Sequence, residues 1–340
     1  MIILAIETSC DETSIAILEN KRVLSNITIS QIWEQQKYGG VVPDLAAKLH
    51  LENIQKVLKN ALSEAQIKQE KIDYIAYTEK PGLVICLQIG KVIAETLALY
   101  LNKPLIPCNH LEGHVYASLL KAKHEWKFPA LALVISGGHT QLYYLKKHLD
   151  FELLGETLDD AVGECLDKVS LLLGYTYPGG PIIEKLALTG KNSYPLPLTK
   201  LDNTFAFSFS GLKTAVRRII EREHSKSNPK KLNINDLACS LQYTLAKILT
   251  FKIEKVLNEK KINTIVLGGG VVANKYLTGY VQQFLQKKNK KIKLFLPHKK
   301  YCTDNAAMIG ILAYYKVKFK NTTSVHNKIT RKKLKRKKIE

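Results

Sequence analysis

Apolar positions run unbroken over residues 2–6 and again over 15–18, with the polar segment Glu7-Thr-Ser-Cys-Asp-Glu-Thr-Ser14 between them. Short unbroken apolar runs bounded by polar, turn-forming residues predict buried strands, so the N-terminus reads as strand, polar hairpin loop, strand. The same unit returns about 130 residues later, where residues 131–145 hold an apolar strand, a tight turn at Ser136-Gly-Gly-His139 and a second strand. That recurrence predicts two similar lobes. Between the hairpins the pattern predicts a helix over 44–64 capped by Asp44 after Pro43, a buried strand over 72–78, an apolar helix from Pro81-Gly82 to Leu101, and a short strand over 105–108. Beyond the second hairpin it predicts a helix over 161–173 closing on Gly174, a strand through the alternating aromatics Phe205, Phe207 and Phe209 leading into a basic helix, and a long amphipathic helix over 236–258. Strands over 262–267 and 293–296 and a small-residue helix after Asp304 complete an α/β alternation.

Composition narrows the class. With 46% hydrophobic and 24% charged residues in 340, the profile is that of a soluble globular protein with room for two domains. The most apolar helical stretch, 83–101, is broken by Gln88, Lys91 and Glu95, so neither a signal peptide nor a membrane span is expected. Six scattered cysteines without a Cys-x-x-Cys pair exclude a disulfide scaffold and fit a reducing cytosol. The net charge of +21 suggests a polyanionic partner. Only six of the basic residues are arginine, and 11 of the 51 basic residues lie in 316–340 against one acid, so about half of the excess belongs to this C-terminal stretch, of which 321–340 is read as an unstructured tail.

Candidate chemistry concentrates in Asn109-His-Leu-Glu-Gly-His-Val-Tyr-Ala117, after the strand over 105–108. On a short helix His110 and His114, four residues apart, share a face and make a two-histidine metal edge suited to zinc, iron or nickel. Glu112 points elsewhere and breaks the His-Glu-x-x-His pattern of zinc proteases. Asp304, near the start of the last helix, is either its N-cap or the oxygen ligand that two histidines lack. Gly268-Gly-Gly-Val-Val-Ala-Asn274 at a strand-to-helix turn suits a bound nucleotide, although it is neither Gly-x-Gly-x-x-Gly nor a P-loop.

Taken together, the ordered motifs resemble one family. They are Ile6-Glu-Thr-Ser-Cys-Asp-Glu-Thr-Ser14, Tyr38-Gly-Gly-Val-Val-Pro43, His110-Leu-Glu-Gly-His114, Ser136-Gly-Gly-His-Thr-Gln141, Asp159-Asp160 through Asp167-Lys168, Tyr177-Pro-Gly-Gly-Pro181, Phe207-Ser-Phe-Ser-Gly-Leu-Lys-Thr214, Gly268-Gly-Gly-Val and Cys302-Thr-Asp-Asn305. Over residues 1 to about 325 the chain is similar to the tRNA threonylcarbamoyladenosine transferases, formerly called glycoprotein endopeptidases. It departs from their usual pattern at Asp44, Ala47, Ile85 and Cys86, outside the ligand motifs.

The resemblance implies the actin-like ATPase, sugar-kinase and Hsp70 fold, with two similar lobes around a nucleotide-binding cleft. The first lobe would span 1–129 and be completed by about 300–320, and the second would span 130–299. It implies one divalent metal ion per subunit, iron first and zinc second, on His110, His114 and Asp304. Threonylcarbamoyl-AMP would lie against Val134, Ile135, Ser136, Gly137 and Gly138, with Asp167, Gly180, Glu184 and Asn274 around its nucleoside. The group would pass to N6 of the adenosine on the 3′ side of the anticodon in tRNAs reading codons that begin with adenine. Asp11 is the candidate catalytic residue, with an Asx-turn role as its alternative, and His139 is expected at most to orient the Gly-Gly turn. The implied partners are tRNA, an inactive paralogous subunit and a small P-loop ATPase, in the cytoplasm and away from membranes. A metalloprotease and a kinase of the same fold are the rival classes.

Overall fold

The computed structural model describes residues 1–199, 201, 204–224 and 232–319, so the predicted tail over 321–340 lies outside the described residues. Among the described residues, those of 1–123 and 304–319 form one compact unit, and those of 124–303 form the other.

In the first unit, β1 (Ile2–Glu7) and β2 (Glu12–Glu19) pair as an antiparallel hairpin, and β3 (Arg22–Ser30) extends it. On the other side of β1, β4 (Tyr74–Lys80) and β5 (Leu105–Asn109) run parallel to it, giving the order β3-β2-β1-β4-β5. The short α1 (Ile32–Gln36) leads to α2 (Pro43–Ala65), and α3 (Val84–Tyr100) follows β4. Leu4, Ile6 and Ile15 bury one sheet face against Ile54, Val57 and Ala61 of α2 and Ala94 and Ala98 of α3. Leu18 stands opposite Ile3 in the register, so by the pleat it faces the other way. There α10 (Ala306–Phe319) crosses so closely that a Cβ on Gly310 would sit 2.3 Å from Leu18 Cδ1. The C-terminal helix thus seals the second face of the first sheet.

The second unit repeats this plan. β6 (Ala130–Ile135), β7 (Thr140–Leu145) and β8 (Phe151–Glu156) are antiparallel, while β9 (Thr264–Gly268) and β10 (Lys293–Phe295) add in parallel beyond β6. Read from β8, the order β8-β7-β6-β9-β10 has the connectivity of the first sheet. Four helices, α5 (Val162–Leu172), α6 (Gly179–Ala187), α7 (Ser210–His224) and α8 (Ile234–Glu259), stand between β8 and β9, and α9 (Lys275–Lys288) joins β9 to β10. Leu131, Leu133 and Ile135 of β6 pack with Val162, Leu166 and Val169 of α5 and with Leu241, Leu245 and Leu249 of α8.

Three sequence expectations are corrected. The first hairpin loop covers only residues 8–11, because Glu12, Thr13 and Ser14 pair with Ser30, Ile29 and Thr28 and Glu7 pairs with Ser14. These polar strand residues are stable inside because they have partners: Thr13 Oγ1 lies 2.7 Å from His50 Nδ1, and Ser14 Oγ 2.8 Å from Thr28 Oγ1. Pro43, not Asp44, opens α2 at its first position, where a missing N–H costs nothing. The alternating aromatics over 205–209 form no strand. Phe207 makes a single bridge to Thr157, and the backbone N–H groups of Phe209 and Ser210 donate to Asp159 instead of to a ladder.

Candidate active site

The carboxyl ends of the parallel strands β1, β4 and β5 deliver Glu7, Thr78 and Asn109 to one end of the first sheet, where open α/β sheets carry their sites. Asn109 Oδ1 accepts from the N–H groups of Leu111 and Glu112 at 2.9 and 3.1 Å, a side-chain cap that starts α4 (His110–Tyr116) at His110 itself. One helical turn later comes His114, and the two imidazoles meet edge to face with centroids 4.7 Å apart.

Asp304 completes the group. The first N–H groups of α10 are satisfied by other side chains: Ser14 Oγ accepts from Ala306 at 2.9 Å, Asn26 Oδ1 from Ala307 at 2.9 Å and Asn305 Oδ1 from Met308 at 3.1 Å. Asn305, not Asp304, therefore caps the helix. Asp304 Oδ1 instead lies 3.0 Å from His114 Nε2 and 3.5 Å from His110 Nε2, and the three ligand atoms fall within 4.8 Å of one another.

The two separations between Asp304 and the imidazoles fit a shared metal ion. Ligand atoms about 2.1 Å from a shared ion stand roughly 3.0–3.4 Å apart in octahedral or tetrahedral arrangement. His114 is fully buried, and its Nε2, although 3.0 Å from the carboxylate, is not aligned with it as a hydrogen bond. Two groups that converge without bonding each other suit shared ligation of an ion, and an imidazole buried without a hydrogen bond is otherwise a standing cost. The local field also calls for a cation. Burial alone would lower the His110 imidazole, but the carboxylates of Asp304 and Glu7 outweigh it and push it up to about 9. Burial likewise raises the Glu7 carboxyl, yet His110 beside it reverses the sign and holds it below its ordinary value.

The loop over 8–11 brings further acids to the same place. Asp11, 5% exposed, has its carboxyl pushed up by burial and by Asp304. Glu12 is pushed up well above its ordinary value by burial first, then by Asp304 and Asp11. His50 Nε2 lies 2.9 Å from the carbonyl oxygen of Cys10 and holds this loop from below. Glu7 and Glu12 were not singled out from sequence. Their only signal was membership in the polar segment after the first apolar run.

In the second unit the remaining expected residues lie on the end of β6 and its turn, on α5 and α6, and at the start of α9. Val134 and Ile135 end β6, and Ser136, Gly137, Gly138 and His139 make the turn to β7, with Ser136 N–H donating to the His139 carbonyl at 2.8 Å. Gly137 and Gly138 are exposed, and among the described residues no partner takes their N–H groups. Gly163, in the first turn of α5, donates its N–H to Ser136 O at 3.1 Å, so that helix start lies against the turn. Gly269, with φ +98°, passes so near that a Cβ there would sit 2.3 Å from Ile135 O. Asp167 accepts from Gly179 N at 2.6 Å and also from Gly180 N, capping α6. Glu184 accepts from Lys275 N at 2.8 Å, while Asn274 caps α9 through Leu277 N and donates to Gln242 Oε1 at 2.7 Å. Asn274 keeps one N–H and one lone pair for anything else.

A profile of the family described as tRNA N6-adenosine threonylcarbamoyltransferase matches residues 22–311. The chain belongs to this family. The enzyme is 49% identical to the tRNA N6-adenosine threonylcarbamoyltransferase of Mycoplasma capricolum subsp. capricolum over 322 residues, 94% of this chain and 99% of that relative. It is 44% identical to the one of Staphylococcus aureus strain JH9 over 317 residues, 93% of this chain and 91% of that relative. Among solved structures, T. kodakarensis HypF aligns with a TM-score of 0.62 over 93% of this chain and 48% of its own. Acidaminococcus fermentans (R)-2-hydroxyglutaryl-CoA dehydratase component A aligns at 0.56 over 93% and 98%. Both are 13% identical, so they speak for the fold alone, and it is the actin-like ATPase and sugar-kinase fold that the family resemblance implied, with the repeated hairpin at the centre of each sheet. The enzyme is a tRNA-modifying transferase, and the protease reading falls away.

Proposed function

We propose that this transferase moves a threonylcarbamoyl group from threonylcarbamoyl-AMP to N6 of the adenosine on the 3′ side of the anticodon, in tRNAs that read codons beginning with adenine. His110, His114 and Asp304 hold one divalent metal ion per subunit for this reaction, iron first and zinc second. The observation that carries the reading is that three-ligand group, converging within 4.8 Å in a chain of this family. A divalent ion there supplies Lewis-acid stabilisation of the negative charge that develops on the carbonyl oxygen.

The chain's own residues do the rest. The N6 amine attacks the carbamoyl carbon, the new C–N bond forms, and the C–O bond to phosphate breaks with its electron pair leaving on AMP. N6 then gives up a proton. Asp11, whose carboxyl burial pushes up, is the proposed acceptor, since a carboxylate with raised proton affinity is the better base. In the second unit, Gly137 and Gly138 offer N–H groups beside the start of α5, a setting that favours phosphate. Val134, Ile135 and Ser136 complete that wall of the adenylate site. Asp167, Gly180 and Glu184 are assigned to the ribose side and the remaining hydrogen-bonding capacity of Asn274 to the adenine edge. The proposed partners beyond tRNA are an inactive paralogous subunit and a small P-loop ATPase, and the proposed location is the cytoplasm. No helix among the described residues is long and apolar enough to cross a membrane.

The test combines the purified chain and candidate partners with threonylcarbamoyl-AMP and unmodified tRNA, and digests the product for nucleoside mass spectrometry. Threonylcarbamoyladenosine is expected with the wild type and absent with His110→Ala. Its absence with the wild type and all partners would overturn the proposal.

A further inference from the structure

Glu7 stands behind the metal group and belongs to none of the roles above. Its carboxylate is fully buried at the end of β1 and is surrounded by donors. Ser9 N–H donates to Oε1 at 2.6 Å, and the Thr78 hydroxyl donates to Oε2. His110 Nδ1 lies 3.2 Å from that same Oε2 and 3.0 Å from Ser9 Oγ. An ionised carboxylate only accepts, so Nδ1 of His110 carries a proton on the side of Glu7 and Ser9. When the ring gives up its other proton to serve as a ligand, the lone pair is therefore on Nε2, on the side of Asp304 and the fully buried His114.

We infer that Glu7 is the positioning residue of the metal centre: it fixes the tautomer and rotation of His110 so that Nε2 is the ligand atom, and its charge makes that nitrogen a stronger donor. Outer carboxylates that accept from a ligating imidazole act in this way at other metal sites, where their loss weakens metal affinity about 10–100-fold. Thr78 and Ser9 in turn hold the carboxylate, so the orientation is built from the ends of β1 and β4 and the loop after β1, and not from the helix that carries the histidines. In Glu7→Gln the amide keeps the shape. If its oxygen stays on Ser9 N–H, its NH2 turns toward His110 and favours the opposite tautomer, with a proton on the ligand atom.

The inference rests on the metal reading, and the test separates the two. Full-length wild-type and Glu7→Gln chains are freed of metal, titrated with Co2+, and followed by visible absorption and calorimetry. The wild type is expected to bind one ion. The variant is expected to bind about 10–100-fold more weakly, with a shifted Co2+ absorption band and an unchanged melting temperature of the metal-free chain. If the wild type binds no ion, the metal reading itself fails. Equal affinity and band position in both chains would overturn the role of Glu7, as would a lower melting temperature with unchanged affinity. Should Glu7→Gln not fold, Thr78→Val removes one support of the carboxylate. A drop of a few-fold in Co2+ affinity is expected of it, and no drop would overturn the inference.

Discussion

Asp304 shows at the scale of one residue how neighbours decide a role. An aspartate just before a helix is most often a cap, and its chemistry here depends on Ser14, Asn26 and Asn305 having taken over the capping of α10. Asp304→Asn keeps the size and removes the charge. Its metal affinity, measured by calorimetry, is expected to fall by at least the factor assigned to the loss of an outer carboxylate, about 10–100-fold, while α10 keeps its helical signal. Loss of helix in that variant would mean that Asp304 serves the cap after all. Asp159 makes the matching case on the other unit. It accepts from the N–H groups of Phe209 and Ser210 and the hydroxyls of Ser208 and Ser210, and despite some burial cost these bonds hold its carboxyl below the ordinary range. A depressed folded-state value means that the stabilisation is present above the unfolded value and is lost as pH falls through the folded one. Denaturant unfolding of Asp159→Asn is therefore expected to show a small deficit at pH 7, about 0.5 kcal/mol or less because solvent screens this exposed carboxylate, that shrinks toward zero in strong acid. A deficit independent of pH would contradict the assignment.

At the scale of elements, the repeat was legible because two apolar runs with small, polar turns are a strong signal, and each proved to be the central hairpin of a sheet. The edge strands β3 and β8 escaped the sequence reading because their residues are mostly half-exposed or exposed, which leaves no apolar run. Phe205, Phe207 and Phe209 misled in the opposite direction. Their alternation reflects burial of Phe207 and Phe209 beside α5, without a ladder to make it a strand. Glu7 was missed because it ends an apolar run, where a charged residue ordinarily marks the start of a loop. The Gly-rich turn after β9 was legible, and the structure explains one of its glycines. Gly269→Ala would force a Cβ onto Ile135 O at a backbone angle that favours glycine. Strain of this kind costs on the order of 1–3 kcal/mol, so chemical unfolding should show at least that loss. Unchanged stability would mean that the turn can relax away from β6.

At the scale of the whole molecule, two sheets of one connectivity carry different chemistry, the first a buried group of metal-ligand type and the second a glycine turn at a helix start. The charge of +21 was legible from composition, but its meaning for tRNA is a matter for measurement. Residues 321–340 hold eight basic side chains against one acid. A chain ending at Lys320 is expected to bind tRNA more weakly at low salt, with a shallower dependence on salt concentration and unchanged metal affinity. Identical salt dependence with and without the tail would remove it from RNA binding.

The most direct test of the account joins the metal group to the tRNA reaction. The wild-type chain, with its partners, is stripped of metal by a chelator and assayed by nucleoside mass spectrometry before and after Fe2+ or Zn2+ is restored. Threonylcarbamoyladenosine formation is expected to disappear on stripping and to return with the ion in the wild type, but not in a His110→Ala chain. Undiminished product from the stripped wild type, verified as metal-free, would contradict the central claim.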